Sequence, residues 1–197
     1  MTTEVFVLFD GYAKVEGHIM KANCSCTLVK SRGLNILVDT MTPWDKNKLI
    51  NALEKHDLKP EDLNFIICTH GHSDHVGNNN LFLNATHIFG KSVSKFDEYD
   101  LSAFENDKEY NINESVTVLP TPGHTLDSIS VKVSTSKGII FVAGDLFERE
   151  EDLQDEKIWK EAGSEDEQLQ IKSRNAVLQC ADYIIPGHGP MFKVSKD

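Results

Sequence analysis

Two sheets of mixed β-strands packed face to face, with helices over their outer faces, form the α+β fold that this 197-residue chain predicts. Three observations lead there. Short β-branched segments recur in two batches, each batch is accompanied by a helical stretch, and histidines gather where apolar strands end.

In the first batch, Val5–Phe9, Cys26–Lys30 and Leu34–Val38 read as strands, the last two joined by a Ser31-Arg32-Gly33 turn. Thr42-Pro43 opens a helix over about Asp45–Lys55, with Leu49, Ile50 and Leu53 on one face. Asn64–Thr69 is expected as a buried strand. A second helix is expected to start near Asp74–Asn78, followed by a short strand at His87–Phe89. The second batch places strands at Val116–Leu119, Ser128–Val133 and Gly138–Ala143, with a Ser136-Lys137-Gly138 turn before the last. A helix over about Glu165–Ala181 carries Leu169, Ile171, Val177 and Leu178, and Tyr183–Ile185 is the final strand. There is no repeat, low-complexity tract or linker, so one domain over residues 1–197 is expected.

Hydrophobic residues at 40% and charged residues at 26% exclude a disordered or fibrous chain. The longest apolar runs, Phe65–Cys68 and Ile139–Ala143, fall far short of the roughly 20 residues of a membrane helix, so no membrane partner is expected. The first ten residues have no basic region and too short an apolar run for a signal peptide. An intracellular protein is therefore expected, in the cytosol or the nucleus. Cys24 and Cys26 are spaced neither as a redox pair nor as a zinc knuckle, and with Cys68 and Cys180 they read as reduced thiols. The net charge of −11 is regional: Asp97–Glu114 carries −6 and Asp145–Glu167 carries −8. Such runs read as solvated surface, or as a screen against polyanions.

The chemistry lies in His70-Gly71-His72-Ser73-Asp74-His75, directly after the apolar Phe65–Cys68. Alternate residues of an extended chain point the same way, so His70 and His72 can face one point while Asp74 and His75 face a neighbouring one. Three further elements end strands in the same manner: Gly123-His124, Gly144-Asp145 and Gly187-His188. The count fits two divalent cations. His70, His72 and His124 suit one, Asp74, His75 and His188 the other, and Asp145 can bridge them through its two oxygens. Zinc is the expected cation, with iron or manganese as alternatives. Two such cations yield hydroxide from a shared water at neutral pH, held and oriented by Asp74 and Asp145 as the catalytic carboxylates. The arrangement points to hydrolysis.

The order His-x-His-x-Asp-His, then a single His, an Asp and a last His, resembles the metallo-β-lactamase superfamily over essentially the whole chain. That resemblance implies a four-layered αββα sandwich with both metals at one edge of the sheets. It also implies that Asp39, ending the strand Leu34–Val38, buttresses a ligand from behind. The longer stretches Thr69–Asn78, Ala143–Arg149 and Ile185–Pro190 resemble a glyoxalase II-like branch of that superfamily, described as an endoribonuclease acting on histone pre-mRNA 3′ ends. RNA as substrate, and a homodimer, are implied by that likeness. The exposed apolar candidates for a dimer contact are Leu101–Phe104 and Ile158-Trp159, although core packing is the expected use of both.

Charge opposes RNA, because nucleic-acid binding rests on Lys and Arg neutralising phosphates and no basic cluster exists here. The alternatives are a small-molecule ester or thioester hydrolase of the glyoxalase II type, and a metal-binding protein whose catalysis is vestigial. His18, His56 and His87 lie outside every motif and are expected to be bystanders.

Overall fold

The computed structural model describes residues 2–196. The chain opens with β1 (Glu4–Phe9), then a separate hairpin of β2 (Tyr12–Glu16) and β3 (Ile19–Asn23), then β4 (Cys26–Ser31) and β5 (Leu34–Val38). Helix α1 (Lys46–Glu54) leads to β6 (Phe65–Cys68), β7 (Thr86–Phe89), β8 (Ser92–Lys95) and β9 (Glu98–Tyr99). The second half comprises β10 (Tyr110–Asn113), β11 (Val116–Pro120), β12 (Ile129–Thr135) and β13 (Gly138–Gly144). It continues with α2 (Lys157–Ala162), α3 (Glu167–Cys180), β14 (Tyr183–Pro186) and β15 (Phe192–Lys193).

Two mixed sheets result, one ordered β1-β4-β5-β6-β7-β8-β9 and the other β10-β11-β12-β13-β14-β15. Parallel pairing is confined to β5–β6, β6–β7 and β13–β14, where a helix returns the chain or a long loop does. The alternation of each strand decides the layers. Ile36, Val38 and Ile67 of the first sheet face Val131, Val133, Ile140 and Val142 of the second in a fully buried central core. Their neighbours Leu37, Ile66 and Cys68 point the other way, onto Leu49 and Leu53 of α1. On the opposite outer face, Phe141, Ala143 and Ile184 meet Val177 of α3. This is the four-layered αββα arrangement. Each buried Val or Ile contributes about 1.5–3 kcal/mol over leaving it exposed, so a one-residue slip in β5 or β13 would turn a whole core face toward the helices.

The expected strands and both long helices are present. The helix expected near Asp74–Asn78 is not: these residues form turns, followed by a single 3-10 turn at Asn79–Leu81. Their polar groups are used elsewhere. The Gly77 N–H donates to Met41 O at 2.8 Å, and the Asn78 side-chain amide donates to Thr40 O and Thr42 O. A Cβ at position 77 would overlap the Met41–Pro43 backbone, so glycine is what allows this close seam. The β2–β3 hairpin stands apart from both sheets and exposes Val15, Ile19 and Met20. Of the candidate dimer contacts, Phe104 and Trp159 are buried within the chain, and Leu101 is exposed. Among the described residues no helix is long and apolar enough to cross a membrane.

Candidate metal centre

All seven side chains singled out by their motifs converge at one edge of the two sheets. The segment His70–His75 leaves β6 of the first sheet. His124 follows β11, Asp145 follows β13 and His188 follows β14, all in the second sheet. The rings of His70, His72 and His124 lie mutually 4.5–4.8 Å apart, centroid to centroid. His75 and His188 lie 5.6 Å apart beside them. Asp145 sits between the two sets. Its Oδ2 is 3.5 Å from His70 Nε2, 3.4 Å from His124 Nε2 and 3.2 Å from His188 Nε2, while its Oδ1 is 3.2 Å from His75 Nε2. His70, His72, His124 and Asp145 form one group able to hold an ion, and Asp74, His75 and His188 form another.

The opposite ring nitrogen is tied down in each buried histidine, which fixes the ring and aims Nε2 inward. His75 Nδ1 pairs with Asp39 Oδ2 at 2.9 Å, and His188 Nδ1 donates to the Asn23 carbonyl at 3.1 Å. His124 Nδ1 donates to the Gly163 carbonyl at 2.8 Å, and His70 Nδ1 lies 3.1 Å from Thr69 Oγ1. Asp39 also accepts from the Thr69 N–H at 2.8 Å, so it anchors the start of the histidine turn as well as His75. Asp39 holds a left-handed backbone, φ 60°, a conformation kept at a non-glycine residue only where its surroundings enforce it.

His188 Nε2 lies 3.2 Å from Asp145 Oδ2 and His124 Nε2 3.1 Å from His72 Nδ1, but other inward atoms have no partner. His70 Nε2, His75 Nε2, Asp74 Oδ2 and Asp145 Oδ1 are buried without a hydrogen-bond partner. Buried polar atoms left this way cost about 1–3 kcal/mol each, and their shared direction fits cations held among them. The donor set agrees, since imidazole and carboxylate are ligands of zinc and its first-row neighbours. Ionisation reflects the same crowding. Burial, with His75 close by, pushes the His70 imidazole well below its usual range, and burial lowers His124 too. Burial works against charge on His188, yet Asp145 outweighs it and raises the imidazole to about 9. His75 is likewise held well above its usual range, with Asp145 and Asp39 overriding burial.

Four contributors were not singled out by their motifs. Glu148 is 3% exposed, and its carboxylate groups with the Asp145 carboxylate and the His188 imidazole as a further possible ion holder. Burial, then the neighbouring Asp145, pushes its carboxyl up to about 8. Its position within an acid-rich run gave no distinguishing signal. The others are Thr69 and the carbonyls of Asn23 and Gly163, which a sequence does not reveal. His56 and His87 stay outside, the first against the Phe6 ring and the second bonded to the Phe82 carbonyl.

A cavity of about 420 Å³ lies elsewhere, between α3 and the second sheet, lined by Leu119, Pro122, Phe141 and Val177 among others.

The comparisons with known proteins agree with this geometry. The model of the metallo-beta-lactamase superfamily matches residues 20–188. The metallo-beta-lactamase domain-containing protein 1 of Xenopus laevis is 44% identical over 98% of this chain and 82% of its own length. An N-acyl homoserine lactonase of Bacillus cereus is 26% identical over 71% of this chain and 70% of its own length. A putative metallo-beta-lactamase of Thermotoga maritima shares the fold at a TM-score of 0.72 and 19% identity, covering 98% of this chain and 100% of that one. The matched region encloses six of the seven candidate donor residues and ends on the seventh, His188, and the chain belongs to the metallo-β-lactamase superfamily.

Proposed function

We propose that this chain is a two-cation hydrolase cleaving RNA phosphodiester bonds. In this reading His70, His72 and His124 hold one cation, Asp74, His75 and His188 the other, and Asp145 bridges them, with zinc as the resident metal. The observation that carries the hydrolase reading is the convergence of buried, unpartnered Nε2 and carboxylate oxygens within adjoining groups able to hold an ion. When bound, the cations supply Lewis acidity and a water ionised near neutral pH. The chain's own side chains do the rest. Asp145 keeps the two ligand sets in register, Asp74 orients the attacking water from the half-buried side, and Asp39 holds His75 in one tautomer.

Two observations support RNA as the substrate. Gly71, His72 and Ser73 are exposed, so a strand can cross the centre from the side without entering a closed pocket. The stretches around His70, Asp145 and His188 resemble the glyoxalase II-like branch, and that likeness favours RNA over other phosphodiesters. A homodimer in the cytosol or nucleus belongs to the same reading.

A second reading, hydrolysis of a small ester, thioester or lactone, is favoured by the rim. Lys91 is paired with Asp107 at 3.1 Å, and Arg149 lies 3.8 Å from Glu151, so a phosphate would meet a carboxylate beside each of these basic side chains. Phe89 packs beside Gly71, and the exposed Leu126 and Met191 follow His124 and His188 closely in the chain. One experiment separates the readings. Zinc-loaded protein is incubated with end-labelled single-stranded RNA and, in parallel, with a lactone and a thioester, with Asp145→Ala as control. Internal RNA cleavage absent from the control supports the first reading. Turnover of only the carbonyl substrates supports the second, and turnover of none with two cations bound leaves a metal-binding protein.

A further inference from the structure

Glu148 sits three residues after Asp145, in the loop that leaves β13, and is 3% exposed. Its backbone is held from two sides. The Glu148 N–H donates to Asp152 Oδ2 at 2.7 Å, and the Glu148 carbonyl accepts from the His188 N–H at 2.8 Å. The loop therefore has little freedom to swing the side chain elsewhere. Its Oε1 is buried with no hydrogen-bond partner. Arg174, the guanidinium bonded to the same loop, is engaged by both oxygens of Asp152. Glu148 is thus a buried carboxyl with an oxygen that no donor of the chain reaches, beside the His188 imidazole, and a buried polar atom left this way is unfavourable unless a partner is supplied. One carboxylate oxygen lies within 4.8 Å of ligand atoms of both Asp145 and His188.

We infer that Glu148 is a further ligand on the second-cation side, where the group of Asp145, Glu148 and His188 adjoins that of Asp74, His75 and His188 through the shared His188. The inference rests on the two-cation reading above. It gives the centre two unlike halves. The first position is all imidazole apart from the shared Asp145, and the second carries three carboxylates. Imidazole favours zinc and its neighbours, whereas carboxylate also suits harder cations such as manganese. The second position is therefore the one that exchanges zinc for manganese.

The test uses the full chain stripped of metal and titrated with zinc, then with zinc and manganese together. Bound metal is read by elemental analysis, affinity by competition with a chelator, and manganese by electron paramagnetic resonance. The wild type is expected to take up two cations, with manganese entering only one position. Glu148→Gln preserves shape and removes the charge. It is expected to keep one cation at unchanged affinity, to weaken the other about 10–100-fold, and to lose the manganese preference. Glu148→Asp keeps the charge but retracts it, and should fall between the two; it supplies the answer if Glu148→Gln does not fold. Wild-type affinity at both positions in Glu148→Gln, or equal weakening of both, overturns the inference. A wild type that takes up a single cation overturns the two-cation reading and this inference with it.

Discussion

Replacing Arg174 by methionine tests how the loop behind the centre is held. Arg174 is buried in α3 and donates four hydrogen bonds: to Leu146 O at 2.8 Å, to Asp152 Oδ1 at 2.7 Å, to Asp152 Oδ2 at 3.1 Å and to Asp152 O at 3.1 Å. Its guanidinium also lies 4.2 Å from the Phe147 ring centroid. Methionine keeps much of the stem and removes the charge, so the main consequence is a stranded Asp152 carboxylate whose side chain is fully buried. Breaking a buried pair in this way costs about 3–5 kcal/mol. At about 2–4 °C per kcal/mol for a chain of this size, the melting temperature should fall by about 6–20 °C. Urea unfolding followed by tryptophan fluorescence reads the change, because Trp159 is buried against Arg174 while Trp44 is 89% exposed. Adding Asp152→Asn removes the stranded charge and leaves an acceptor for the Glu148 N–H. The double variant should then be more stable than Arg174→Met alone, and a cycle that includes Asp152→Asn should give a coupling of about 0.5–3 kcal/mol. An Arg174→Met cost below about 1 kcal/mol, or a double variant no more stable than the single one, refutes the argument.

Further outcomes follow from the centre and its surroundings. Asp145→Ala and His72→Ala should each abolish hydrolysis and lower bound metal, whereas His56→Ala, whose ring packs 4.7 Å from Phe6, should change neither. Chelation should lower the melting point: a cation present at about 1,000 times its dissociation constant stabilises by about 4 kcal/mol, and calorimetry with and without chelator measures this. Gly187→Ala places a Cβ where Asp145 Oδ1 lies, so metal uptake by elemental analysis should drop even where circular dichroism shows a folded chain. Of the four thiols only Cys180 is exposed, and burial pushes those of Cys24, Cys26 and Cys68 up. A disulfide reagent should therefore titrate one thiol in the native protein and four after unfolding.

Most of the fold was legible because the central strands alternate strictly. Ile36, Val38, Ile140 and Val142 face the core and their neighbours face the helices, so period and layer coincide. The candidate donor set was legible because three histidines and an aspartate in six residues have few structural uses, and the fold brings all seven candidate side chains together. The turn after His75 was misread as a helix start because Asp74 and Asn78 resemble capping residues. What decides its shape is a tertiary seam with Thr40–Pro43, invisible in local sequence. Glu148 was hidden for a different reason. It shares its residue type with most of its neighbours in the acid-rich run, and only burial sets it apart.

The donors of the centre come from both sheets, His70 to His75 from one and His124, Asp145 and His188 from the other. Neither sheet alone carries a complete set, so a binding site exists only after the sheets have docked. A cation held there would act as a clasp across the seam, with little to hold in earlier, partly docked species. Loaded protein should consequently open far more slowly than stripped protein while refolding at a similar rate, because interactions absent from the transition state govern unfolding alone. Resistance of the cell's copies to proteolysis would then track metal supply through the opening rate.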